Sequence, residues 1–116
     1  MNRTRSRLDV RSKIWLEIDG EAVLGQGREE LLKLIQRTDS INRSAKLMGI
    51  TYRKAWTYID SMEKRLGFPL VNRLKGGRGG GESTLTPQAV ALLEKFDLLQ
   101  KGFIEMVNRK FKDLNF

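Results

Sequence analysis

Residues 40–73, SINRSAKLMGITYRKAWTYIDSMEKRLGFPLVNR, decide the fold of this chain. The segment predicts a short helix from Ile41 to Met48, followed by a longer helix that Thr51 caps. Gly49 stands between the two helices, where a tight turn needs either a positive φ or no side chain. Two short helices joined in this way form a helix-turn-helix, a motif that places its second helix in the major groove of duplex DNA.

The outer face of the second helix distinguishes this motif from an ordinary helical hairpin. A solvated helix usually interleaves acids with bases, but the first two turns, Thr51 to Tyr58, carry no acid. Arg53 and Lys54 can donate hydrogen bonds to guanine or to phosphates, and Thr57 can meet a base edge or a thymine methyl group. The sequence therefore predicts a DNA-reading edge, and its members are Thr51, Tyr52, Arg53, Lys54 and Thr57.

Other residues of the motif are expected to support this edge. Ala55, Ile59, Met62 and Leu66 recur at helical spacing, which predicts a buried face. Trp56 lies at the border of that face and is predicted to pack against the core rather than to contact DNA. Ser40 and Arg43, at the start of the preceding helix, are expected to anchor phosphates.

A glycine-rich segment follows the second helix. Leu70 to Leu74 and Ser83 to Leu85 are predicted to pair as strands around KGGRGGGE, residues 75–82. A long hairpin tip beside a helix-turn-helix forms a wing, so the basic residues of the segment are expected to contact the DNA backbone or minor groove; they are Arg73, Lys75 and Arg78. A passive linker is the alternative. A nucleotide-binding phosphate loop is excluded because no Lys-Ser/Thr pair follows the glycines.

The region before residue 40 predicts a flexible arm, a hairpin and one more helix. Residues 1–10 carry three arginines and can either touch DNA phosphates or remain disordered. Alternation through Ile14, Leu16 and Ile18 predicts a strand, and Asp19-Gly20 is a strong hairpin signal. Arg28 to Arg37 is predicted to be helical, with leucines and Ile35 on one face.

The last segment of the chain predicts a long helix with a dimerisation surface. Thr86-Pro87 is a cap followed by proline at the first helical position, and the helix is expected to run to about Lys112. Apolar residues repeat at 4-3-4-3 spacing, which is typical of a coiled-coil seam. We therefore predict pairing with a second copy through Leu92, Phe96, Leu99, Phe103 and Met106.

Composition limits the classes of function. The chain has 116 residues, a formal net charge of +8 and neither cysteine nor histidine. A domain this basic is attracted to polyanions, of which nucleic acid is the commonest. The missing residue types remove thiolate and imidazole chemistry. Residue types still permit a carboxylate-only hydrolase, but no convergent acids point to one, so neither a cofactor nor an enzyme activity is predicted. No apolar run approaches the length of a membrane span, and a cytoplasmic protein without membrane association is expected.

Two segments, SINRSAKLMGITYRKAWTYIDSM (residues 40–62) and LVNRLKGGRGGGESTLT (residues 70–86), together with the long terminal helix, resemble a known family. They look like the N-terminal DNA-binding domain of ModE, the molybdate-responsive transcriptional regulators, and more distantly like the winged helix of LysR-type regulators. The resemblance implies a dimer formed by the terminal helices and a palindromic operator. It carries over to the recognition-helix start and the wing, at Thr51, Tyr52, Arg53, Lys54, Lys75 and Arg78.

Full-length members of the family carry C-terminal molybdate-binding domains, whereas this sequence ends at Phe116, so we predict neither molybdate sensing nor a particular effector. We predict an α+β, mainly α fold with a flexible arm (1–10), a winged helix-turn-helix domain (11–86) and a dimerisation helix (87–116). The predicted function is sequence-specific regulation of transcription on double-stranded DNA. The alternatives are a protein-interaction module, non-specific chromosome binding and, more weakly, oxyanion binding at the dimer interface.

Overall fold

The computed structural model describes residues 7–25, 27–73 and 83–116. The chain begins with two antiparallel strands, β1 (Leu16–Ile18) and β2 (Glu21–Leu24). Asp19 and Gly20 form the turn between them with φ values of 51° and 81°. Two successive positive φ values match the right-handed twist of the strands, which is why an Asp-Gly pair suits this position. The predicted hairpin is confirmed, although its first strand begins at Leu16 and not at Ile14.

Three helices follow the hairpin, α1 (Arg28–Thr38), α2 (Ile41–Met48) and α3 (Tyr52–Leu66). Hydroxyl caps begin two of them, since the side chain of Ser40 accepts from the Arg43 N–H and that of Thr51 accepts from the Lys54 N–H. Gly49 ends α2 with φ of 73°, a backbone conformation that costs glycine little and other residues more. These boundaries confirm the predicted helix-turn-helix.

The wing strands are β3 (Val71–Arg73) and β4 (Ser83–Leu85), which pair antiparallel. The backbone N–H of Ser83 also donates to the carbonyl of Asp39 at 3.0 Å. This bond ties the wing to the turn between α1 and α2. The predicted contacts of Lys75 and Arg78, together with Leu74 and residues 1–6 of the arm, lie outside the described residues.

The final helix, α4 (Pro87–Leu114), is 28 residues long, which corresponds to about 42 Å. Thr86 caps it by accepting from the Ala89 N–H at 3.1 Å. The Cα envelope of the chain measures 63 × 35 × 22 Å. The elongation follows from α4, whose buried residues all lie in its first three turns, at Ala89, Leu93 and Phe96.

One core joins the hairpin, the three helices and the start of α4. The side chains of Leu31, Leu32 and Ile35 from α1 are fully buried there, together with Ala55 and Ile59 from α3. Trp56 and Leu66 are half-buried and pack against the same cluster. The predicted buried face of α3 and the packing role of Trp56 are therefore confirmed. A small core of this kind holds α3 with its basic face outward.

Candidate nucleic-acid interface

The N-terminal half of α3 presents one exposed edge. All five residues predicted to read DNA are exposed on it: Thr51, Tyr52, Arg53, Lys54 and Thr57. Ala55 and Ile59 hold the opposite face in the core, each with no exposed area. Because a helix rotates by about 100° per residue, burial of these two side chains fixes which residues point outward. The edge is therefore rigidly positioned on the domain.

The positive charges of this edge have no acidic partner in the described ranges. Ion pairs in those ranges join Lys33 to Asp97, Arg65 to Glu21, and Arg73 to Asp60 and Glu63. Neither Arg53 nor Lys54 takes part in any of them. An exposed cation without a neighbouring carboxylate keeps its full attraction for a phosphate or a base edge.

Three hydroxyls at this surface already make hydrogen bonds within the chain. Ser40 Oγ and Thr51 Oγ1 each accept a helix-capping bond of 3.0 Å, and Thr57 Oγ1 donates to the carbonyl of Arg53 at 3.0 Å. The two capping hydroxyls keep their proton and can still donate to a phosphate oxygen. Thr57 keeps lone pairs on its oxygen and can accept from a base edge. Arg43, on the first turn of α2, is exposed.

Arg28 is a candidate contact that the sequence did not single out. Its guanidinium carbon lies 5.4 Å from the ring centroid of Tyr58, and Lys54 Nζ lies 5.9 Å from the same centroid. Arg28 Nε is buried and has no hydrogen-bond partner among the described residues. Two cations thus lie close to one ring, and their positive charge would attract a DNA phosphate to this part of the surface. Arg28 and Tyr58 meet only because α1 and α3 pack together in the fold, and no local pattern in the sequence predicts this contact.

Arg73, predicted to contact the DNA backbone, is engaged inside the protein. Its guanidinium nitrogens lie 2.9 Å from Glu63 Oε1 and 3.0 Å from Asp60 Oδ1. Partial burial opposes ionisation of Glu63, but hydrogen bonds from Arg73, Leu70 and Val71 outweigh it and lower the pKa of Glu63. The hydrogen bond to Glu63 raises the pKa of Arg73. Both groups are therefore charged at neutral pH, and a DNA phosphate at Arg73 would have to compete with these two carboxylates.

The predicted dimer seam divides into two parts. Phe96 is 1% exposed and belongs to the core of its own subunit, against which Leu92 also packs. Phe96 is thus not available to a partner, which corrects that part of the prediction. Further along α4, Leu99 is 53% exposed and Met106 is 48% exposed, while Phe103 is half-buried. Apolar residues in the second half of α4 remain uncovered by the subunit.

Sequence comparison identifies the class of protein. The model of a family described as bacterial regulatory helix-turn-helix protein, lysR family, matches residues 30–90, which contain α2, α3 and the wing. The chain belongs to this family. Its fold is a winged helix-turn-helix with a long C-terminal helix, and the family consists of regulators rather than enzymes.

Curated relatives narrow the resemblance to ModE-like regulators. The chain is 37% identical over 101 residues to Transcriptional regulator ModE of Haemophilus influenzae, covering 87% of this chain and 37% of that protein. It is 41% identical over 80 residues to the DNA-binding transcriptional dual regulator ModE of Escherichia coli K12, covering 66% of this chain and 30% of that protein. The chain thus spans about a third of the length of these relatives and corresponds to their N-terminal DNA-binding domain.

Solved structures support the same fold. A crystal structure of the CbnR DNA-binding domain with DNA superposes with a TM-score of 0.58 at 15% identity, covering 76% of this chain and 95% of that one. A LysR-family regulator from Eggerthella lenta gives a TM-score of 0.50 at 27% identity, covering 66% of this chain and 99% of that one.

Among the described residues, no helix combines the length and apolarity that crossing a bilayer would require.

Proposed function

We propose that the chain binds a palindromic operator as a homodimer and so regulates transcription sequence-specifically in the cytoplasm. The observation that carries this proposal is the exposed edge of α3. Its basic residues have no acidic partner among residues 7–25, 27–73 and 83–116, and a buried face fixes their direction. Arg53, Lys54 and Thr57 would enter the major groove, with Tyr52 and the Thr51 hydroxyl beside them. Ser40, Arg43, Lys75 and Arg78 would contact the backbone, where phosphate contacts fix the register.

Selection of bound duplexes from a random pool, with the molecular mass measured by light scattering, tests this proposal. We expect an enriched palindrome and a mass of two subunits. Absence of any enriched motif would overturn sequence-specific binding. Steep salt dependence without preference among duplexes would instead indicate non-specific chromosome binding. Weak affinity for every duplex at moderate salt would indicate a protein-interaction module.

Arg53→Ala is expected to weaken binding to the selected operator by about 1–3 kcal/mol, because a bidentate contact to a base would be lost. Binding to a random duplex should change much less. Fluorescence anisotropy with both duplexes at one salt concentration measures the difference. Lys64→Ala, an exposed residue in the last turns of α3, is the control. Equal losses on both duplexes would assign Arg53 to the phosphates.

Arg28→Gln is expected to weaken operator and random duplexes alike and to reduce the salt slope by about one, because a phosphate contact carries no base information. Binding measured across a salt series gives the slope. Lys33→Gln is a matched control on the same helix, since Lys33 is paired with Asp97 at 2.8 Å. An unchanged slope for Arg28→Gln would remove Arg28 from the interface.

A further inference from the structure

Arg73 ends β3 and reaches across to α3. Nη2 contacts Glu63 Oε1 at 2.9 Å and Asp60 Oδ1 at 3.0 Å, and Nη1 contacts Glu63 Oε2 at 3.2 Å. Its guanidinium carbon also lies 4.8 Å from the ring centroid of Trp56. Trp56, Asp60 and Glu63 follow one another at helical spacing of four and three residues, so they share one side of α3.

Glu63 binds the backbone of the wing as well as its arginine. Glu63 Oε2 accepts from the N–H of Leu70 at 2.7 Å and from the N–H of Val71 at 3.3 Å. Its side chain is only 14% exposed. Hydrogen bonds to a partly buried carboxylate are stronger than those at an open surface. Glu63 therefore joins α3 to the first residues of the wing.

The contacts continue from the wing to the reading edge. The ring of Trp56 meets the ring of Tyr52 edge-on, with centroids 6.4 Å apart and an interplanar angle of 83°. Tyr52 is the first residue of α3 and is 43% exposed. An unbroken series of contacts thus runs from Glu63 through Arg73 and Trp56 to Tyr52.

The charge balance around Arg73 disfavours a phosphate there. One guanidinium faces the two carboxylates of Asp60 and Glu63, so the cluster carries a net negative charge. An approaching phosphate would meet repulsion from the carboxylates and would have to displace hydrogen bonds of 2.9 to 3.2 Å. The arginine is better suited to hold neighbouring elements together than to bind DNA.

We propose that Arg73 is a positioning residue. It fixes the wing against α3 and holds the side chains of Trp56 and Tyr52 in the orientation that binding to the operator requires. This role rests on the proposed function of the α3 edge. Arginine suits it because its planar fork binds a carboxylate through two nitrogens while it lies over an aromatic ring. Lysine keeps the charge but has neither the fork nor the plane.

The proposal is tested by measuring the affinity of four variants for the selected operator and for a random duplex. The variants are Arg73→Lys, Arg73→Gln, Glu63→Gln and the double variant Arg73→Gln/Glu63→Gln. We expect each single variant to lose about tenfold on the operator, with little change on the random duplex and an unchanged salt slope. The double variant should lose no more than either single variant, because both break one unit. Arg65→Gln is the control, since Arg65 pairs with Glu21 at the surface, at 3.6 Å.

The opposite pattern would overturn the proposal. If Arg73 bound a phosphate, Arg73→Lys would keep the affinity for DNA. Arg73→Gln would then lose affinity for both duplexes and would lower the salt slope by about one. Glu63→Gln would then leave affinity unchanged or increase it. Thermal unfolding of each variant checks that the domain remains folded at the assay temperature.

Trp56 emission, measured without DNA in a Trp15→Phe background, separates this inference from the proposed function. Arg73→Lys and Arg73→Gln should shift the emission, because the cation leaves the ring, whereas Arg65→Gln should not. Unchanged emission would overturn the coupling even if the chain selects an operator. A wild-type chain that selects no duplex would overturn the proposed function, and with it the effect of Arg73 on operator binding.

Discussion

Phe96→Ala is expected to lower the free energy of unfolding of the subunit by about 3–5 kcal/mol, because truncating a buried phenylalanine loses its transfer free energy and leaves a cavity. The side chain is 1% exposed and lies among core residues of the other helices. Urea unfolding at two protein concentrations measures the loss and shows how much of it depends on association.

Leu99→Ala is the matched control for Phe96→Ala. Leu99 lies one turn further along α4 and is 53% exposed, so its truncation should cost the subunit little. Its effect should appear in the concentration dependence of unfolding, since it would weaken the proposed dimer. If Phe96→Ala left stability unchanged and only weakened association, Phe96 would belong to the seam after all.

Local signals in the sequence account for most of the fold. The cap residues Thr51 and Thr86 each precede a helix as predicted, and Ser40 caps α2 in the same way. A hydroxyl one residue before a helix satisfies N–H groups that have no other partner. Gly49 and the Asp19-Gly20 pair mark turns for equally local reasons. Such signals act within four residues of the chain, so they can be recognised in the sequence without knowledge of the tertiary structure.

The errors concern what covers or pairs with a side chain across the fold. Apolar spacing along α4 shows that Phe96 and Leu99 face similar directions. It does not show that the core of the subunit covers Phe96 and leaves Leu99 exposed. Nor does the sequence indicate that Arg73 pairs with Glu63, which is ten residues earlier and on another element. Arg28 reaches Tyr58 in the same nonlocal way.

Changing both Leu99 and Met106 to glutamate is expected to abolish the proposed dimer and to weaken binding to the palindrome by about 10²–10⁴-fold. In a dimer, the first DNA-binding domain to bind holds the second close to its half-site, and linkage of this kind strengthens binding by that factor. Pairing would bury these carboxylates against each other near a two-fold axis, at a large desolvation and repulsion cost. Light scattering and anisotropy on the palindrome and on an isolated half-site measure both effects. Affinity for the half-site should not change.

Leu98→Glu provides the control on the same helix. Leu98 is 70% exposed and lies about 80–140° around the helix from Leu99, Phe103 and Met106, so its carboxylate would reach water at the side of the proposed seam. The variant should stay dimeric and bind the palindrome normally. Loss of the dimer in Leu98→Glu, with retention in the double variant, would move the interface to the other face of α4. Half-site affinity lost together with the dimer would show that α4 supports the reading domain itself and does not only join two copies.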